Sequence, residues 1–234
     1  MDTVKVVMNW SSGKDAALAY LTILNDPSYQ VTHLLTTLSE EHDRVFMHGV
    51  REKLLDIQAE RMKLPLLKVK LPASPDDTLY RQAMLQTLND LKKQGTTVAA
   101  FGDIFLEDLK IYREQQLAGA GFTGLFPLWK KDTRELVRSI EENNIEAIIV
   151  CVNEKFLGKE FLSRKINADF LNSLPANVDP CGENGEFHTF VYNAPFFNEP
   201  IPIVTGTTVH KTYKAPDGNG QWNTGFYFLD VDVI

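Results

Sequence analysis

The stretch VKVVMNWSSGKDA, from Val4 to Ala16, passes from a β-branched apolar run through small polar residues into a segment of helical character. Val4–Met8 suits a short buried strand, Ser11–Lys14 breaks it, and DAALAYLTILND (15–26) carries a helical pattern. A strand that turns into a helix through Ser, Ser and Gly leaves main-chain amides exposed at a helix N-terminus. There the helix dipole favours an anion, and Lys14 adds a positive charge. The pattern reads as a phosphate cradle, or else as a capped βα turn in which Ser11 or Ser12 caps the helix and Lys14 is solvated. It is not a Walker loop, which needs Gly where Met8 stands and Ser or Thr where Asp15 stands. Kinase-like transfer of a γ-phosphoryl group is thereby disfavoured.

Outward from this turn, strand and helix alternate. Val31–Leu38 predicts a second strand, and Met47, Val50, Leu54, Ile57 and Met62 recur at helical spacing until Pro65 stops them. Leu66–Leu71 predicts a strand, Asp77–Lys93 a helix, and Thr97–Phe101 a strand that ends at Gly102-Asp103. Glu107–Ala120 predicts a helix broken by Gly119-Ala-Gly121, FTGLFPLW a short extended piece, Asp132 the cap of a helix reaching Asn143, and Ile145–Val152 a buried strand. Such alternation predicts an α/β fold with a doubly wound, mainly parallel sheet and ligands at the carboxyl ends of its strands. From about Pro175 the chain turns rich in Pro, Gly, Asn and aromatic residues. VTGTTVHKTY and TGFYFLDVDVI there predict antiparallel strands around a turn at Asp217–Gly220. The predicted division is a nucleotide-binding unit over 1–128 and a smaller mixed α+β unit over 129–234.

Composition narrows the function. The 234 residues carry 24 basic and 31 acidic side chains, a net charge of −7, which argues against broad electrostatic binding of nucleic acid. A local basic pocket for a small phosphate ligand stays compatible with it. Cys151 and Cys181 form neither a disulfide scaffold nor a zinc pattern, so a reduced, cytoplasmic setting is expected. The start has no basic n-region or cleavage site, and no segment approaches the roughly 20 apolar residues that span a bilayer. Exposed apolar strands in the C-terminal third point toward a homodimer.

The SSGKDA loop after a first strand resembles the SGGxDS loop of the PP-loop, or N-type, ATP pyrophosphatases, whose fold is HUP-like (adenine nucleotide alpha hydrolase-like). HGVREKLLDIQAERMKLPL (48–66), FGDIFLEDLKIYRE (101–114), LFPLW (125–129) and DPCGENGEFHTFVYNAPFF (179–197) together resemble the diphthine–ammonia ligase family and its bacterial relatives. Ser12 departs from the first Gly of the superfamily loop and Ala16 from its final Ser. The resemblance implies an ATP-dependent ligase that adenylates a carboxylate, releases pyrophosphate and amidates the acid with ammonia or an amine. In the family namesake the acid is diphthine on translation elongation factor 2; a small-molecule acid is the alternative. Two rivals stay open: sulfur insertion by a PP-loop enzyme, which needs a reactive Cys181, and an ATP- or AMP-binding regulatory module without turnover, suggested by Ala16.

Carried onto this chain, the resemblance implies that Ser11, Ser12, Gly13, Lys14 and Asp15 line the ATP phosphate site, with Mg²⁺ on Asp15. Asp15 could equally be a first-turn acid that favours the helix dipole. Gly102 and Asp103 stand where a doubly wound sheet contacts ligands, Asp103 being alternatively a helix cap. Lys14, Asp15 and Asp103 are the candidate catalytic residues. Arg113 can hold a phosphate or carboxylate, or form a surface ion pair. His48 and Arg51, three apart, share one face of the predicted second helix. Gly182, Glu183, Asn184 and Glu186 read as a substrate loop offering acceptors to an amine, or as a hairpin turn. LFPLW reads as core packing or a pocket wall, and acidic neighbours argue against a thiolate at Cys181.

Overall fold

A computed structural model of the chain describes residues 3–41, 44–45, 48–72, 77–213 and 224–234. The alternation takes the form β1 (Val4–Asn9), α1 (Lys14–Leu24), β2 (Tyr29–Ser39), β3 (Arg44–Val45), α2 (Glu52–Met62), β4 (Leu66–Leu71), α3 (Asp77–Lys93), β5 (Val98–Ala100), α4 (Glu107–Ala120) and β6 (Thr123–Leu125). The remainder is α5 (Thr133–Glu142), β7 (Glu146–Asn153), a 3₁₀ turn (Lys159–Phe161), α6 (Ala168–Ser173), β8 (Phe187–Asn193), β9 (Ile203–Tyr213) and β10 (Thr224–Val233). Strands β4, β2, β1, β5 and β6 lie side by side and parallel, with the short β3 antiparallel to the end of β2. A separate antiparallel sheet runs β8-β7-β10-β9. No helix among the described residues is long and apolar enough to cross a membrane.

The continuous apolar run of β1 follows from burial on both faces. Val6 and Met8 join a core that contains Leu18 of α1, Leu54 of α2 and Leu136 of α5, whereas Val7 faces a second core with Leu88 of α3 and Leu117 of α4. The first of these cores runs on without a break to Ile148 of β7 and to Phe190 and Val191 of β8. The two sheets therefore share one interior. Helix α5 starts as its sequence predicts, with the Asp132 carboxylate accepting from the Glu135 amide at 3.0 Å.

Two expectations need correction. The predicted helix reaching back to Met47 begins only at Glu52; Met47 itself lies outside the described residues. His48 and Gly49 belong instead to a tight turn in which the Gly49 amide bonds the Val45 carbonyl. Gly49 has φ +69, and a Cβ there would lie 2.8 Å from the Phe228 ring of β10, so apolar spacing continues through a segment the second sheet bends away from helix. His48 and Arg51 consequently do not share a helical face. Of FTGLFPLW, only Thr123–Leu125 is strand. The predicted turn at Asp217–Gly220 lies outside the described residues.

The turn between β1 and α1 carries local strain. Ser12 takes φ +75, a left-handed conformation that costs a non-glycine residue about 1–2 kcal/mol. It is fully buried, and its hydroxyl meets no partner among the described residues. Ser12→Gly should therefore raise stability by about 1 kcal/mol, after glycine's greater chain entropy offsets part of the gain. Thermal unfolding checks this, with an expected rise of roughly 2–4 °C for a chain of this size; a lower midpoint would show that the hydroxyl is held after all.

Candidate functional site

Strand order reverses at β1: the chain moves from β1 outward through β2 to β4, then returns to lay β5 and β6 on the other flank. The carboxyl ends of β1 and β5 diverge there, and the fold opens a cavity of about 390 Å³. Its walls come from both sheets: Ser11, Lys14 and Asp15 after β1, Gly102 and Asp103 after β5, and Gly182 and Glu183 before β8.

The Ser11–Ala16 turn is pinned from two sides. The Ser12 carbonyl accepts from the Val191 amide at 2.9 Å, and the Lys14 amide donates to the Thr189 hydroxyl at 3.0 Å. Gly13 is the N-cap of α1, so helix geometry leaves the Asp15 and Ala16 amides without intrahelical acceptors. The loop after β5 seats directly on this first turn. A Cβ at Gly102 would lie 2.8 Å from both the Ala16 nitrogen and the Asp15 carbonyl carbon, so only glycine allows the approach.

Lys14 is not solvated, as one reading of the sequence allowed. It is 2% exposed; its ammonium pairs with Asp15 at 2.7 Å, donates to the Cys181 carbonyl and sits 5.1 Å from the centre of the Phe187 ring. Burial disfavours the charge, yet Asp15, Cys181 and Glu183 outweigh it and keep the lysine protonated above its ordinary range. The Lys14 charge is thus spent on the protein's own groups rather than carried on a free arm. Burial pushes the Asp15 carboxyl upward against the pull of Lys14, and its second oxygen, Oδ1, is shielded, with no hydrogen-bond partner within normal geometry among the described residues.

Three carboxyls face one another across the cavity. Asp103 pairs with the Arg113 Nε at 2.6 Å, and the Arg113 guanidinium lies 4.5 Å from the centre of the Phe101 ring; burial raises the Asp103 carboxyl and Arg113 opposes the rise. Glu183 Oε1 accepts the Ile104 amide at 2.8 Å, tying the loop before β8 to the loop after β5. Burial, with Asp15 and Asp103 adding repulsion, moves Glu183 to about 7 in spite of that bond. His48 and His188 stack with ring centroids 4.5 Å apart, and His48 Nδ1 lies 3.3 Å from the Thr189 carbonyl, to which it donates. Burial lowers both imidazoles, His48 to about 4, so both are neutral near pH 7.

Ser11, Lys14, Asp15, His48, Gly102, Asp103, Arg113, Gly182 and Glu183 thus converge, as far as lining one cavity goes. Ser12 and Gly13 lie buried behind them. Arg51 does not join them: 39% exposed, it pairs with Asp230 and Asp232 of β10, and with Arg44 it holds the Asp230 carboxyl down at about 2. Glu186 is buried inside its own loop, accepting from the Asp179 amide and the Asn184 side chain at 3.0 Å each, while Asn184 faces solvent. The Cys181 thiol is buried and raised, and it donates to the Thr133 carbonyl at 3.5 Å. Pro127 and Trp129 do not line the cavity. Thr36, Thr37 and Tyr80, which no motif marked, also line the cavity, as do Phe187 and Thr189 from the 179–197 motif, to which sequence reading gave no role. Only the alternation of β8 hinted that Thr189 and Phe187 share a face.

Residues 4–119 match the family described as Diphthamide synthase N-terminal domain, and residues 132–230 match Diphthamide synthase C-terminal domain. Relatives among known proteins include the diphthine–ammonia ligase of Rattus norvegicus, 26% identical over 189 residues that cover 73% of this chain and 70% of the rat protein. The diphthine–ammonia ligase of Danio rerio is 27% identical over 194 residues, 74% of each chain. That of Homo sapiens is 26% identical over 187 residues, 73% of this chain and 70% of its own.

The Glu183 carboxyl binds its proton more tightly in the folded protein than in the unfolded chain, where it titrates near 4.5. Its contribution is therefore full below about 4.5 and is lost as the pH rises to about 7. Urea unfolding of wild type and Glu183→Gln at pH 5 and pH 8 should show the wild type losing more stability than the variant across that interval. Equal losses would mean that Glu183 ionises as an ordinary carboxyl.

Proposed function

The chain belongs to the diphthamide synthase family, and from that membership we propose that it is an ATP-dependent ligase that adenylates a carboxylate and converts it to an amide with ammonia. The observation that carries this reading is the convergence of both sheets on one cavity, with helix N-terminal amides on one side and a carboxyl near neutrality on the other. The reading assigns 1–128 to ATP binding and 129–234 to recognition of the acid. Since the relatives are named for diphthine and ammonia, a diphthine-type carboxylate is the first substrate to consider.

In this reading the ATP phosphates lie over the first turn of α1, where the Asp15 and Ala16 amides and the buried Lys14 charge offset their negative charge. The substrate carboxylate oxygen attacks the α-phosphorus and pyrophosphate leaves; ammonia then attacks the acyl carbon and AMP leaves with the oxygen. Arg113, beside Asp103, orients an anionic group at the cavity wall, and the Glu183 carboxylate takes up the proton that the ammonia nitrogen loses as it bonds the acyl carbon. Positioning and charge neutralisation supply most of the acceleration in such phosphorus chemistry. Mg²⁺ would be held by Asp15, whose Oδ1 has no hydrogen-bond partner among the described residues, together with substrate phosphates, the usual hard-oxygen shell of that ion. When bound, the ion would neutralise phosphate charge. The sulfur-insertion alternative is disfavoured by the Cys181 thiol, which burial and acidic neighbours keep protonated.

Incubation of the purified chain with Mg-ATP, ammonium and a panel of carboxylates, including a diphthine-bearing protein, should yield AMP and pyrophosphate that depend on the acid. Asp15→Asn should reduce the rate by at least about 100-fold. ADP and phosphate as products would overturn the reading, and tight ATP binding without products would favour a nucleotide-binding regulatory module.

A further inference from the structure

The helix motif at 48–66 has no part in the cavity beyond His48, yet it places one amide, Gln58 of α2, where the two sheets meet. Gln58 is fully buried. Its Oε1 accepts the Trp10 indole N–H at 2.8 Å, and its Nε2 donates to the Val191 carbonyl at 2.7 Å and to the Ser12 carbonyl at 3.2 Å. An indole only donates and carbonyls only accept, so the orientation of the amide is fixed by chemistry and both its N–H groups are in use. The Ser12 carbonyl also receives the Val191 amide, which closes a set of bonds among the loop after β1, α2 and β8.

This set brackets the strained part of the loop. A left-handed non-glycine residue persists only where its surroundings over-determine it, and Ser12 is held through its carbonyl by Gln58 and Val191 together. Two residues before Val191 on the same strand, Thr189 accepts the first amide of α1. The spacing between Ser12 and Val191, which Gln58 spans with one nitrogen, therefore sets how β8 meets the helix N-terminus. Gln58 itself does not line the cavity.

We propose that Gln58 is a positioning residue for the nucleotide loop: through the Ser12 and Val191 carbonyls it holds the turn that presents the α1 amides and locks that turn to the second sheet. The proposal rests on the reading that this loop binds ATP phosphates. Gln58→Met keeps the side-chain length and removes all three bonds. Gln58→Glu keeps one donor and one acceptor when protonated and loses the donor when ionised. Met62→Ala thins the buried apolar contact of the same helix without touching these bonds.

The test measures ATP affinity by calorimetry, the KM for ATP, the thermal midpoint, and the ¹H–¹⁵N resonances of the Ser12 and Gly13 amides and the Trp10 indole. Gln58→Met should weaken ATP binding and raise KM by about tenfold or more, and should move the loop resonances. Met62→Ala should keep affinity within twofold of wild type despite a lower midpoint. Gln58→Glu, whose buried carboxyl stays protonated at pH 5, keeps the Trp10 acceptor and one of the two donors and should weaken ATP binding by less than Gln58→Met at that pH, and this variant carries the comparison should Gln58→Met not fold. ATP affinity of Gln58→Met within twofold of wild type, or an equal loss in Met62→Ala, would reduce Gln58 to a core hydrogen bond and overturn the proposal. A wild-type chain that binds no ATP, with loop resonances that still move in Gln58→Met, would sink the nucleotide reading and leave the loop-setting role standing.

Discussion

The buried ammonium of Lys14 is the constraint around which the two sheets are joined. An unpaired charge in a protein interior costs several kcal/mol, so every group that can satisfy it must stay within reach. The groups that do so come from both halves of the chain: Asp15 from the start of α1, and the Cys181 carbonyl and the Phe187 ring from the loop and strand of the second sheet. Withdrawing the second sheet would strip Lys14 of two of these and expose the shared apolar core. The loop after β5 is drawn into the same junction, because Gly102 rests on the first turn of α1 and Glu183 bonds the Ile104 amide.

This junction creates the electrostatics of the cavity. One ammonium faces Asp15 and Glu183, while Asp103 is answered separately by Arg113, so negative groups outnumber what Lys14 can neutralise. Burial raises all three carboxyls above their ordinary range, Glu183 to about 7, and at Glu183 the charges of Asp15 and Asp103 add to the rise. A group that can hold or release a proton near neutrality, opposite a set of helix N-terminal amides, suits a reaction in which an anionic leaving group departs and an amine loses protons. The neutral His48–His188 stack lies against the same wall without adding charge.

Much of the fold and part of the site were legible in the chain. β1 reads as a buried strand because Val6, Val7 and Met8 follow one another without a polar break, and Asp132 followed by Glu135 marks the start of α5. Gly102 and Asp103 could be placed at a strand end from order alone, since parallel α/β sheets put their ligands there. Arg51 and Glu186 show where local reading stops. Both sit in motifs beside true cavity residues, yet Arg51 is claimed by Asp230 on a strand 179 residues away, and Glu186 braces the turn it belongs to. Apolar spacing around Met47 likewise extends past the point where Gly49 turns under Phe228.

By itself the sequence determined the alternating α/β half, the amide-rich turn after its first strand, and the family, because these depend on local periodicity, backbone conformation and motif order. Only the tertiary structure decided that Lys14 is buried, that Gln58 and Thr189 support the turn, and which carboxyls meet. Those outcomes depend on how β8 is laid against α1, a contact between segments some 175 residues apart. Charge burial and hydrogen-bond closure are properties of that juxtaposition, and no run of neighbouring residues encodes them.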